Sequence, residues 1–158
     1  MNDMEDLQIE KDLLIVEDDL DFASLLLKKI EKLGLVVDIA TSVEEAKGFL
    51  ASDHYKLVSL DVFLGHDNCA PLIKEIRTEG HLNQAAQVVV LSAHTNQDFV
   101  KRIQSKGIKA FSKKKELEHY LEFLKTELSS LEKQEAQEEA MEVMEDLPLD
   151  LGELDLAA

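Results

Sequence analysis

Acids, a hydroxyl and lysines each follow a short apolar run in this chain. Glu17, Asp18 and Asp19 come after LLIV at 13–16, Asp61 after LVSL at 57–60, and Ser92 after VVVL at 88–91. Lys113, Lys114 and Lys115 stand in SKKK just after IKAF at 108–111. Several carboxylates gathered at one edge repel one another, and the usual remedy is a hard divalent cation with oxygen ligands, such as Mg²⁺. A carboxylate nucleophile that attacks a phosphoryl donor needs positive charge on the transferring oxygens. A metal and an ammonium supply it, and a hydroxyl can hydrogen-bond a third oxygen. Three acids, a Ser and a Lys on four strand ends therefore make a complete apparatus for forming an aspartyl phosphate.

The elements that must position these groups are legible in the hydrophobic pattern. Adding LVVDIA at 35–40, the apolar runs number five, each too short and too apolar for a surface helix. Between them lie helical patterns at about 20–33, 43–52, 69–79 and 95–105, with a fifth beginning near Lys115. This alternation predicts an α/β protein of the (βα)5 kind, doubly wound around a five-stranded parallel sheet, whose ligands bind beyond the carboxyl ends of the strands. Ser42 is placed to cap a helix with Glu45 three residues on, and Gly34 and Gly107 end helices before strands two and five.

The fifth helix overruns the domain. Leu117, Leu121, Leu124, Leu128 and Leu131 form a heptad-like stripe, read either as the face of one core helix or, in its excess, as a helix pair. We expect an acidic segment at 1–11, a domain at 12–128, and an acidic helical to disordered tail at 129–158. The tail ends in LPLDLGELDLAA, with leucines among acids as in a partner-binding peptide.

Composition excludes several classes. The net charge of −16 is carried mostly by the ends, −4 in residues 1–12 and −9 in residues 132–158, leaving −3 between them. Nucleic acid and anionic lipid both demand Lys/Arg surfaces, so neither is expected as a partner. No apolar run approaches a membrane span, the acidic start is unlike a secretory signal, and Cys69 is the only cysteine. A cytoplasmic protein in a reducing compartment is expected. His54, His66, His81 and His119 show no metal-ligand spacing, while His94, two residues beyond Ser92, is placed to overhang the pocket.

In IVEDD at 15–19, VSLD at 58–61, VVVLSA at 88–93 and GIKAFSKK at 107–114, the sequence resembles the receiver domains of two-component response regulators, the CheY-like family. The separations match as well: 43 residues from Asp18 to Asp61, 31 from Asp61 to Ser92 and 22 from Ser92 to Lys114. The resemblance implies strand order 2-1-3-4-5 and a regulatory protein rather than an enzyme, catalysing only its own phosphoryl transfer and dephosphorylation. It implies that Glu17, Asp18, Asp61 and the Phe63 main-chain carbonyl hold Mg²⁺ and that Asp61 accepts a phosphoryl group from a phosphohistidine. Lys114 matches the phosphate-binding lysine, Ser92 the switch hydroxyl and Phe111 the switch aromatic, with Lys113 and Lys115 as bystanders. The implied partners are a histidine kinase or histidine phosphotransfer protein and a downstream protein target. A homodimer is expected through the helix 4, strand 5, helix 5 face or the extended helix 5.

Four positions depart from the family pattern. Gly65 stands where a proline is common, Cys69 where a glycine is common, Lys115 where a proline follows the lysine, and His94 beside the switch hydroxyl. Lys115 poses a choice, because a cis bond before a non-proline residue costs about 2.5–4 kcal/mol. Either the Lys114–Lys115 bond carries that cost or the loop is trans and the lysine is placed differently. The altered loop also keeps open a degenerate receiver that binds partners without phosphorylation. Two other classes fall away: EDDLDF after the first strand would repel a pyrophosphate, and Phe63 stands where an Asp-x-Asp phosphatase needs its second acid.

Overall fold

The computed structural model describes residues 10–93 and 98–146, so His94 and the leucine-and-acid segment at 147–158 lie outside the described residues. Strands β1 (Glu10–Val16), β2 (Val37–Ala40), β3 (His54–Leu60), β6 (Gln87–Ser92) and β7 (Lys109–Ser112) form one parallel sheet in the order β2-β1-β3-β6-β7. This is the expected 2-1-3-4-5 once the short antiparallel hairpin of β4 (Phe63–Leu64) and β5 (Asp67–Asn68), which sequence reading did not foresee, is set aside. Helices α1 (Leu20–Glu31) and α5 (Leu117–Glu145) cover one face; α2 (Val43–Ser52), α3 (Ala70–Ile76) and α4 (Asp98–Ser105) cover the other.

Both faces being covered, the strands must be apolar throughout, and alternation only decides which core each side chain joins. Val58, Leu60, Val88 and Val90 pack with Leu50, Leu72 and Val100 on the α2–α4 side. Leu57, Val89 and Leu91 pack with Leu26, Tyr120, Leu124 and Leu128 on the α1/α5 side. The leucine stripe of α5 is thus spent on the sheet, with Leu117, Leu121 and Leu131 at its margins. The helix runs for 29 residues, about 44 Å at 1.5 Å per residue. Glu135 ties it to Lys56 at 3.5 Å, and beyond that point Met141, Val143 and Met144 face solvent.

Near the amino end of the sheet, Lys11 Nζ donates to Asp38 at 2.7 Å and Asp53 at 3.1 Å, and the Tyr55 hydroxyl donates to Asp38 at 2.5 Å. Burial works against the Asp38 charge, but the hydrogen bonds from Lys11 and Tyr55 outweigh it and hold the carboxyl below its ordinary value. A carboxyl depressed by folding contributes stability above its unfolded pKa, about 3.9, and loses it as pH falls through the lower folded value. The stability gap between wild type and Asp38→Asn should therefore be largest near pH 6 and shrink below pH 4. Urea unfolding at pH 6 and pH 3 checks this; an unchanged gap would assign the effect to packing.

Candidate functional site

Because the strands run parallel, the residues that follow them share one rim. The Glu17 N–H extends the β1–β2 ladder to the Ala40 carbonyl at 2.9 Å, and the Asp61 N–H extends the β1–β3 ladder to Val16 at 3.1 Å. Glu17 lies two residues after Ile15, Asp61 two after Ser59 and Lys113 two after Phe111, so all three fall on the α1/α5 side and line one recess there. Lys113 Nζ donates to Asp61 Oδ2 at 2.8 Å and to Glu17 Oε1, and it stands 4.7 Å over the Phe22 ring. Burial opposes the Lys113 charge; Asp61 and Glu17 more than offset it and hold the ammonium above its ordinary value.

Asp19, in contrast, serves only helix α1, accepting the Phe22 N–H at 3.1 Å as its N-cap. The acidic triplet is thereby divided. Asp19 caps, while one carboxylate oxygen from each of Glu17, Asp18 and Asp61 lies within 4.8 Å of the others. Glu17 is buried, 2% exposed, and its Oε2 has no hydrogen-bond partner among the described residues. Burial pushes its carboxyl up to about 8, with Asp61 adding to the rise and Lys113 opposing it. A buried carboxylate oxygen left over beside two more acids is the donor chemistry that suits a hard divalent cation.

The loop after Asp61 gives Gly65 a use. Its N–H donates to Asp18 Oδ2 at 2.8 Å from a residue with φ of 65°. A proline, common at this position in the family, has neither that donor nor access to that φ.

The structure does not bring the expected lysine, Lys114, into the recess. Lys114 is exposed and Lys113 occupies the recess. The described residues contain no cis peptide bond, so Lys114–Lys115 is trans, as the cost of a cis bond before a non-proline residue favours. The turn closes directly onto α5: Lys115 N–H donates to Ser112 Oγ at 3.2 Å and Glu116 N–H to the Ser112 carbonyl at 2.9 Å. In that tight turn the lysine in phase with Glu17 and Asp61 is Lys113. The signal was present in the sequence, in its separation from Phe111 and in the missing proline.

The other expected residues fall as follows. Ser92 is fully buried at the end of β6, and its carbonyl accepts the Lys113 N–H at 3.0 Å. The Phe63 N–H reaches Asp61 Oδ1 at 3.4 Å, with its own carbonyl beside the site in sequence. Phe111 packs on α5, edge-on to Tyr120 with centroids 5.9 Å apart and tilted against Phe123 at 5.4 Å. Sequence reasoning missed the buried pair of Ser59 Oγ and Tyr120 Oη, 2.6 Å apart, directly beneath the recess.

The carboxyl rim of a (βα)5 sheet thus gathers paired acids, a third acid and a lysine. The model of the response regulator receiver domain matches residues 13–125, and the chain belongs to that family. Among solved structures it is similar to a response regulator from Burkholderia pseudomallei, described with a phosphorylated aspartic acid, a calcium ion and citrate. That likeness has 25% identity over 81% of this chain and 74% of the other, with a TM-score of 0.63. It shares the fold of a CheY-like receiver domain from Methanospirillum hungatei, at 20% identity over 80% of this chain and 99% of the other, TM-score 0.67. A search of curated proteins finds no match. No described helix is long and apolar enough to cross a membrane.

Proposed function

We propose that this receiver domain takes a phosphoryl group onto Asp61 from a phosphohistidine of a kinase or phosphotransfer protein, and that the modification changes its contacts with a downstream protein. The observation that carries this reading is the Lys113 ammonium, which meets Asp61 and Glu17 in a recess where a buried carboxylate oxygen has no partner among the described residues. In the transfer, an Asp61 carboxylate oxygen forms the new bond to phosphorus. The P–N bond breaks, and its electron pair stays on the imidazole, which takes a proton from solvent. Mg²⁺, held by Glu17, Asp18, Asp61 and the Phe63 carbonyl, would supply charge for the phosphoryl oxygens. Lys113 neutralises a further oxygen, and the Ser92 hydroxyl offers a hydrogen bond to another.

Three features support transmission through α5. Asp61 follows Ser59 by two residues, Ser59 is bonded to Tyr120, and Tyr120 packs on Phe111, two residues before Lys113. A change in charge at the recess bears on both ends of this ring, and its middle lies on a helix that leaves the domain. Partners are proteins rather than nucleic acid, in keeping with a net charge of −16. The reading also takes the protein as cytoplasmic, and as a domain at 12–128 with a helical tail that serves contacts, including a homodimer.

Beryllofluoride with Mg²⁺ should shift the amide resonances of Asp61, Lys113, Phe111 and Tyr120 in the full chain, and leave Asp61→Asn unchanged. A wild-type spectrum that ignores the phosphoryl mimic would instead select the degenerate receiver that binds partners without phosphorylation.

A further inference from the structure

On the face away from the recess, α3, α4 and the amino ends of β6 and β7 enclose a groove of about 950 Å³. Its floor is apolar, with Ile73, Val88 and Ile103, and its rim carries Lys74, Arg77 and Lys106. Among the described residues no acidic one lines it, in a chain whose net charge is −16. Among the described residues neither Lys74 nor Lys106 meets a carboxylate, and Arg77, also on the rim, donates from Nη1 to the Gln84 and Ala86 carbonyls at 2.7 and 2.6 Å. A cationic rim around an apolar floor recognises a peptide that alternates leucines with acids.

This chain contains such a peptide. Residues 147–158 read LPLDLGELDLAA, with five leucines, three acids and no cation. They follow a helix that leaves the domain at the right end. Glu135 of α5 reaches Lys56, next to Leu57, and Leu57 is paired in register with Gln87, which lines the groove. Twelve extended residues span about 40 Å. Asp146, the C-cap of α5, lies eleven residues past Glu135 and so about 16 Å further along the helix; returning that distance while crossing about 20 Å to the opposite helical layer, at roughly 10 Å per layer, takes about 26 Å, or about eight extended residues. We infer that the end of residues 147–158 docks in cis into the α3/α4 groove, Leu154 and Leu156 on its floor and Asp155 against its lysine rim. The inference stands apart from phosphorylation, since the groove and the recess lie on opposite faces of the sheet.

A nitroxide on Ala158→Cys of the full chain tests it. Cys69 is fully buried, with its thiol pushed up to about 12 by burial, so the label goes to position 158. Amides of Ile73, Ile103 and Ile108 should broaden severalfold relative to the reduced label, and the double variant Lys74→Glu/Lys106→Glu should abolish that broadening. Both substitutions are at exposed positions and leave the core intact. Two results would overturn the inference. One is an unbroadened groove in the labelled chain. The other is equal broadening of unlabelled, isotope-enriched protein mixed with labelled protein, which would place the peptide of one copy on another.

Discussion

Lys113→Ala should slow phosphorylation of Asp61 by a small-molecule phosphodonor on the order of 10²–10³-fold, whereas Lys114→Ala should change it less than twofold. The magnitude is that of removing one preorganised cationic or hydrogen-bond donor from a site where charge develops. The contrast follows from placement, since Lys113 Nζ lies 2.8 Å from Asp61 Oδ2 and Lys114 is exposed on the turn. Loss of Lys113 leaves two buried acids facing each other, yet the domain should remain folded. Glu17, with its carboxyl already pushed up to about 8 by burial and by Asp61, takes up a proton rather than hold an unpaired charge. Radiolabel or mass-shift time courses of both variants, with circular dichroism as a folding control, decide the matter. A large loss in Lys114→Ala with Lys113→Ala unaffected would show that the turn rearranges and that the spacing of the family prevails over this geometry.

Why the expected acids line the recess while the expected lysine stands one residue outside it is a matter of what fixes each. Glu17 and Asp61 extend strand ladders whose register is set by long apolar runs, so counting residues from the runs locates them. Lys113 lies one residue past β7, where position depends on how a turn closes onto α5, through Ser112 and Glu116. The family's spacing, counted to the position before the usual proline, does not report that closure; the separation from Phe111 and the missing proline do. The acidic triplet shows the same division. Asp19 as cap and Glu17 and Asp18 as ligand candidates are neighbours in sequence, and only the start of α1 separates their roles. The Ser59–Tyr120 pair was hidden for another reason. A serine inside LVSL and a tyrosine on a leucine stripe each look like ordinary strand and helix residues, and their hydrogen bond exists only once α5 is laid across β3.

How α5 is laid there governs the second large effect. Its leucine stripe could have served a helix pair, but Leu124 and Leu128 are essentially inaccessible, 0% and 1% exposed, against Leu13, Ile15 and Leu57 of the sheet. Leu128→Ala should then cost about 2–5 kcal/mol, the range for truncating a buried leucine whose surroundings cannot fully collapse. Met144→Ala, at a side chain 70% exposed on the same helix, should change stability by less than about 0.5 kcal/mol. Both are read from urea unfolding of the full chain at several protein concentrations. A cost for Leu128→Ala that vanishes on dilution would mean the leucine stabilises a dimer rather than this core. A cost independent of concentration places α5 inside the domain, where the ring of Ser59, Tyr120 and Phe111 joins it to the recess. Burial on that helix is then what makes it answer to Asp61, because an element packed this tightly cannot shift without moving the aromatic side chains between them.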